Sequence, residues 1–309
     1  MKTAFLFPGQ GAQSPGMGAD LYLSYSRYRE TFDRCEAGAG LDLKSACFKG
    51  EGMDGGDWIQ AAIYAHSTAT WSQLKAEGIS ADYLAGLSLG EYAALTAAGV
   101  MGEAQGASLV RRRGCLMDGA VPPGTGGMLS VVGLTLERAE AAIAGFRNVF
   151  ISNHLSETQL VLGGLLAELE AVKPALEAAG SRMLTMLAMK GPSHCPLLDG
   201  AADRFAGELA GEALYSPNQA VYSNALGALY PADAEIRPLL CAQMKGRVRW
   251  HDCVEDMLAR GVTRFVEIGP GGVLTKMLKR RVNREVQLFS VQDEASLETF
   301  LRANAEGGV

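Results

Sequence analysis

Tyr83-Leu84-Ala85-Gly86-Leu87-Ser88-Leu89-Gly90-Glu91-Tyr92-Ala93-Ala94-Leu95 joins a short apolar run to a helix-like stretch through a Gly-x-Ser-x-Gly turn. A strand that bends sharply into a helix at a serine needs glycines two residues to either side, because side chains there would strike the neighbouring strand and helix. The turn leaves the serine hydroxyl exposed at the end of a sheet. The N–H of Leu89 then opens the helix, so an oxygen that turns negative beside Ser88 meets a donor and the positive end of a helix dipole. Ser88 is therefore a candidate nucleophile, and its turn predicts an α/β sheet around it.

The flanking sequence repeats the strand-then-helix pattern. Ala4 to Phe7 reads as a buried strand ending in the turn Pro8-Gly9-Gln10-Gly11, and Gly16 to Arg34 has helical spacing of Leu21, Tyr22, Tyr25 and Phe32. Gln60 to Leu74 and Glu103 to Met117 read as further helices, and the helix after Ser88 should end near Gly99. Alternation of this kind indicates a parallel sheet covered on both faces. Val121-Pro122-Pro123-Gly124-Thr125-Gly126-Gly127 then breaks the pattern, as a domain boundary does. Beyond it lie a strand at 128–132, a helix at 136–144, paired strands at 149–153 and 159–162, a helix at 165–179 and a strand at 182–187. That β-α-β-β-α-β order is the ferredoxin-like pattern. Strands at 220–222 and 264–267 follow, the second ending in Gly269-Pro270-Gly271-Gly272. The expected fold is an α/β-hydrolase-like large domain with a parallel sheet, built from residues 1–124 and 191–309, with a ferredoxin-like small domain inserted at 125–190.

Composition narrows the function classes. The chain has 309 residues, 48% apolar and 20% charged, so it can bury a large core without external staples. The N-terminal apolar run is too short for a signal-peptide core, and no stretch reads as a membrane span. The six cysteines are scattered without a Cys-x-x-Cys pair, which suggests neither a metal site nor a disulfide framework. The expectation is a cytoplasmic protein. A net charge of −6 argues against a nucleic-acid partner. Lys245, Arg247, Arg249, Lys276, Lys279, Arg280 and Arg281 cluster late in the chain. They read either as a patch for an acidic carrier or phosphate-bearing ligand, or as solvated helix faces.

A serine hydroxyl needs a base within hydrogen-bond reach. Of four histidines, His194 stands out in Gly191-Pro192-Ser193-His194-Cys195-Pro196, a fixed loop on the far side of the expected insertion. His66 lies in an Ala-rich helix pattern, His154 begins a turn and His251 precedes a helix, where packing, capping or surface roles fit better. No acid motif lies between Ser88 and His194, so the group that orients the imidazole stays open.

Five motifs taken together resemble the malonyl-CoA:acyl-carrier-protein transacylases of fatty acid and polyketide synthesis. They are Phe7-Pro8-Gly9-Gln10-Gly11-Ala12-Gln13, Gly86-Leu87-Ser88-Leu89-Gly90-Glu91, Arg113-Gly114 followed by Met117, Gly191-Pro192-Ser193-His194, and Glu267-Ile268-Gly269-Pro270-Gly271. The resemblance spans residues 4 to 282 in the family's order and spacing. It implies that Ser88 is acylated by malonyl-CoA and passes the malonyl group to an acyl carrier protein, with no cofactor. His194 would act as base and then as acid, oriented by the backbone carbonyl of Gln243. Gln10 and Leu89 would supply oxyanion donors through their N–H groups. Arg113, one of three consecutive arginines, would hold the malonyl carboxylate, which a planar guanidinium grips with two parallel bonds. Gln60 is a weaker candidate for lining the site, with Leu87 and Ser193 as its other possible walls. Two positions depart from the family. Leu87 stands where histidine is usual, and Gln60-Ala61-Ala62 replaces Gln-Pro-Ala. The rival readings are a discrete trans-acting acyltransferase of a polyketide assembly line, an editing acyl hydrolase on the same scaffold, and an idle scaffold that binds carrier proteins.

Overall fold

A computed structural model of the protein describes residues 1–306. The chain opens with strand β1 (Lys2–Phe7), and Ala4, Phe5, Leu6 and Phe7 are all buried. A strand buried on both faces reads as a continuous apolar run, so β1 belongs in the middle of a parallel sheet. It lies there. The other strands are β2 (Tyr83–Gly86), β3 (Gly126–Val132), β4 (Val149–Ser156), β5 (Gln159–Leu165), β6 (Met183–Met186), β7 (Ala220–Ser223), β8 (Ala228–Leu229), β9 (Val262–Ile268) and β10 (Gln287–Val291). The larger sheet runs β10-β9-β1-β2-β7-β8, parallel throughout except for the last, antiparallel pair. In a parallel sheet every strand delivers its following loop to the same edge, which is where α/β folds place their sites. The loops after β1, β2 and β9, all flagged in the sequence by glycines, therefore converge.

The second sheet runs β4-β5-β3-β6 and is antiparallel. Each helical crossover skips one strand, from β3 past β5 to β4 and from β5 past β3 to β6, which is the split β-α-β arrangement expected from the sequence. A core of its own, with Leu129, Val131, Leu160 and Leu162 fully buried, sits beneath its helices. The second sheet is tied at Val248 to the loop before the helix Trp250–Ala259: the Val248 N–H donates to Ser152 O at 2.8 Å, and His154 N–H donates to Val248 O at 2.9 Å.

Several expected elements differ in detail. The helix expected over 16–34 is two, Ala19–Ser24 and Ser26–Ala39, divided where Tyr25 takes an extended conformation. The helix expected over 165–179 is also two, Leu166–Ala171 and Lys173–Ala178, because Pro174 lacks the N–H that a continuing helix needs. Strands β8 and β10 are additional; β8 is two residues long and β10 lies at the sheet edge, both weak sequence signals. His154 lies in β4 and is buried, and His251 lies inside the helix Trp250–Ala259, so neither is the turn or pre-helix residue expected.

Candidate active site

The turn at Ser88 is fixed by lack of space. Phe7 pairs with Gly86, and Leu87 N–H donates to Phe7 O at 3.0 Å, so the turns after β1 and β2 lie side by side. A Cβ on Gly86 would sit 1.9 Å from the carbonyl carbon of Gly90, and one on Gly90 would sit 2.1 Å from Phe7 O. Ser88 itself has φ +55°. A left-handed conformation costs a side-chain-bearing residue about 1–3 kcal/mol, and such strain concentrates at functional sites. His194, at φ +56°, is the only other non-glycine residue with positive φ among the described residues.

These two strained residues meet. Ser88 Oγ lies 2.7 Å from His194 Nε2, and His194 Nδ1 lies 2.6 Å from the carbonyl oxygen of Gln243. A carbonyl only accepts, so Nδ1 carries the proton and Nε2 offers its lone pair to the serine hydroxyl. Burial, and second the charge of Arg113, pull the His194 pKa down to about 3. The imidazole is neutral at physiological pH. The orienting group left open by the sequence motifs alone is thus a backbone carbonyl, held by the helix Ile236–Lys245.

Arg113 completes the centre from another helix, Glu103–Asp118. Its neighbour Gly114 explains how: a Cβ there would lie 2.3 Å from Gly56 O, so only bare backbone lets this helix press against the helix Gly56–Ala76 that carries Gln60. Arg113 Nη1 donates to Gln60 Oε1 at 2.7 Å, and Nη2 donates to Gln243 Oε1 at 2.9 Å and to Ser88 Oγ at 3.2 Å. The guanidinium also lies over the Tyr92 ring at 5.4 Å. Arg113 is fully buried, Nε has no acceptor, and no carboxylate pairs with it among the described residues. Burial lowers its pKa, but a guanidinium stays charged at neutral pH. Arg111 and Arg112 instead bond to Ala39 O and Glu212, so the three consecutive arginines have separate fates.

A cleft of about 560 Å³ lies between the two sheets, with Gln10, Gln60, Leu87, Ser88, Ser193 and His194 on its walls. Met117, Met128, Met189 and Met277 give the lining a soft apolar part, and Gln13, Ser130, Asn153 and Gln159 add polar groups to it. No acceptor in the protein takes the N–H of Gln10 or Leu89 among the described residues, so both remain available as donors. The Ser88 N–H is spent on Asn224 Oδ1 at 2.6 Å. Among the described residues, no group of His, Cys, Asp and Glu side chains gathers to hold a metal ion, and no helix is long and apolar enough to cross a membrane.

Much of the late basic cluster is paired with acids. Lys245, Arg247 and Arg249 pair with Asp199, Glu140 and Asp252, and Arg281 pairs with Glu255. Lys276 and Lys279 lie on the helix Val273–Lys279, whose Val273 and Met277 reach the cleft. Three buried residues escaped the sequence reading. Asn224 and Tyr230 carry no local motif. Glu91 did carry a signal, a lone acid opening an otherwise apolar helix, and it is completely buried.

A serine on a strand-to-helix turn, bonded to a neutral histidine beside unspent N–H donors and a buried cation, defines an enzyme of the acyl-transfer class working through a serine acyl-enzyme. A family model described as "Acyl transferase domain" matches residues 4–302. The malonyl CoA-acyl carrier protein transacylase of Salmonella typhimurium is 38% identical, the match covering 91% of this chain and 93% of the relative. The crystal structure of malonyl CoA-acyl carrier protein transacylase from Clostridium perfringens superposes with a TM-score of 0.95 at 34% identity, covering 99% and 98%. A malonyl-transacylase solved in complex with a type II polyketide synthase acyl-carrier protein gives 0.91 at 37% identity, covering 98% and 100%. The chain belongs to the acyl transferase family, and within it to the malonyl CoA-acyl carrier protein transacylases.

Two outcomes follow from this geometry. Replacing His194 by alanine lowers the rate at which a fluorophosphonate labels Ser88 by about 10²–10⁴, the usual contribution of a general base; an unchanged rate contradicts the assignment. Stability falls on acidification. Burial holds His66 and His154 down to about 4 and His194 to about 3, whereas the unfolded chain protonates them near the ordinary value of 6.5. Stability is therefore lost as pH falls from 6.5 toward 4. Glu91, raised from 4.5 to about 7, and Glu267, also raised by burial, work in the opposite direction, but against four histidines that burial lowers. Thermal melting shows a lower midpoint at about pH 5 than at about pH 7, and a higher one contradicts the balance.

Proposed function

We propose that the protein moves a malonyl group from coenzyme A to Ser88, and from Ser88 to the phosphopantetheine thiol of an acyl carrier protein. The Ser88 oxygen attacks the thioester carbonyl while His194 Nε2 takes the hydroxyl proton. The carbon–sulfur bond breaks and the same proton passes to the departing thiolate. The carrier thiol then reverses the sequence, giving its proton to His194 and regenerating Ser88. Gln10 and Leu89 meet the oxyanion with their free N–H groups, and the Gln243 carbonyl stabilises the imidazolium that forms. Gln60, Leu87 and Ser193 shape the wall. The reaction needs no cofactor.

The observation that carries this reading is the buried, carboxylate-free guanidinium of Arg113, 3.2 Å from the nucleophile. A malonyl carboxylate attached to Ser88 lies three bonds beyond Oγ, within reach of that cation. An acyl chain without a carboxylate leaves the cation unmatched, which counts against an editing hydrolase for uncharged chains. A discrete trans-acting acyltransferase of a polyketide assembly line uses the same chemistry and differs only in the carrier it serves; the neighbour solved with a polyketide carrier protein supports keeping that reading. The same proposal divides the chain into a catalytic domain of residues 1–124 and 191–309 and a small domain of residues 125–190, and places the protein in the cytoplasm.

After mixing with malonyl-CoA, the peptide containing Ser88 gains the mass of one malonyl group in a mass spectrum; no gain contradicts the proposal. Arg113→Ala reduces malonyl loading about 10²-fold more than acetyl loading, the scale of a lost charge-assisted pair, and equal losses remove Arg113 from substrate recognition.

A further inference from the structure

Glu91 begins the helix Gly90–Ala97 and is completely buried, yet no cation touches it. Its carboxylate instead collects donors from three other parts of the chain. Oε2 accepts the Asn224 N–H at 3.1 Å and the Gln243 Nε2–H at 2.8 Å, and Oε1 accepts the Tyr230 hydroxyl. Two of these donors, Asn224 and Gln243, lead onward to the reacting groups. Asn224 accepts the Ser88 N–H and donates to Gly86 O at 2.7 Å, so it clamps both sides of the nucleophile turn. Gln243 donates to Ser88 O at 2.8 Å, offers its side-chain oxygen to Arg113 and its backbone carbonyl to His194.

Resting on the reading of Ser88 as the acylated residue, we propose that Glu91 is a positioning residue of the transfer reaction: its ionised carboxylate locks Asn224 and Gln243 and so holds Ser88, His194 and Arg113 in one geometry. Hydrogen bonds to an ionised acceptor are roughly twice as strong as neutral ones, and two N–H donors on Oε2 with a hydroxyl on Oε1 suit the anion. The charge lies one amide away from Arg113, joined to it through the Gln243 side chain without touching it. A protonated Glu91 keeps its shape but loses one acceptor site and the charge that strengthens the others.

The lock therefore has a pH signature. The ionisable groups around Glu91 are Arg113, Tyr230, Tyr92 and Cys253. Burial outweighs the help of Tyr230, Gln243, Asn224 and Arg113 and raises the Glu91 pKa to about 7. His194, held at about 3, protonates far below that point. An acid limb near pH 7 in the reactivity of Ser88 thus belongs to Glu91 and not to the base.

The experiment is the rate of fluorophosphonate labelling of Ser88 between about pH 5 and pH 9, in the wild type, Glu91→Gln and Tyr230→Phe, each normalised to folded protein by its thermal melt. The wild type shows a limb near pH 7. Glu91→Gln is slower on the alkaline plateau by about 10-fold or more, as expected for misplaced reacting groups, and has no limb there. Tyr230→Phe removes one donor to the carboxylate, which raises its pKa and moves the limb to higher pH. A limb that persists in Glu91→Gln, or stays in place in Tyr230→Phe, overturns the proposal. Tyr230→Phe decides the matter alone if Glu91→Gln fails to fold. The probe carries no malonyl group, so failure here leaves malonyl loading of Ser88 standing, and failure of malonyl loading leaves this test intact.

Discussion

The left-handed backbone at Ser88 is the constraint on which the rest of the structure depends. It exists only because Gly86 and Gly90 let β2, β1 and the following helix close to contact distance, at separations no side chain tolerates. The strain must be held by the surrounding fold. The parallel sheet supplies that hold by hydrogen-bonding the turn to Phe7, and Asn224 and Gln243 fasten it from the far side. His194 carries the same strain at the other half of the reacting pair. A hydroxyl and an imidazole fixed in this way need little reorganisation when a thioester arrives.

Charge is distributed as unusually as backbone strain. Arg113 is a buried cation among neutral acceptors, His194 is kept neutral by burial and by that cation, and the nearest buried anion, Glu91, is reached only through an amide. A buried charge without a partner is costly. A substrate that brings its own carboxylate relieves that cost, and one that does not leaves it in place. In the proposed reaction, selectivity comes from this unmet charge as much as from the shape of the site.

Much of this was legible in the sequence. The serine turn, the histidine loop and Arg113-Gly114 each pair a chemical group with the backbone feature that positions it, so local spacing announces them. The β-α-β-β-α-β order was legible because its strands are short apolar runs divided by stretches of helical spacing. The helix break at Tyr25 was not, since nothing in Ser24-Tyr25-Ser26 forbids a continuous helix and only packing decides it. Asn224 and Tyr230 lie far along the chain from Ser88 and acquire their meaning from the pairing of β2 with β7. The basic residues at 245–249 and 276–281 look like one free cluster in sequence, but Lys245, Arg247, Arg249 and Arg281 find acidic partners.

The most direct measurement is a structure of the enzyme trapped after malonyl loading and before the carrier protein is added. The account predicts an ester on Ser88 Oγ, its carboxylate bonded to the Arg113 guanidinium and its carbonyl oxygen facing the N–H groups of Gln10 and Leu89. An ester whose carboxylate points into the cleft, with Arg113 still bonded only to Gln60 and Gln243, would contradict it.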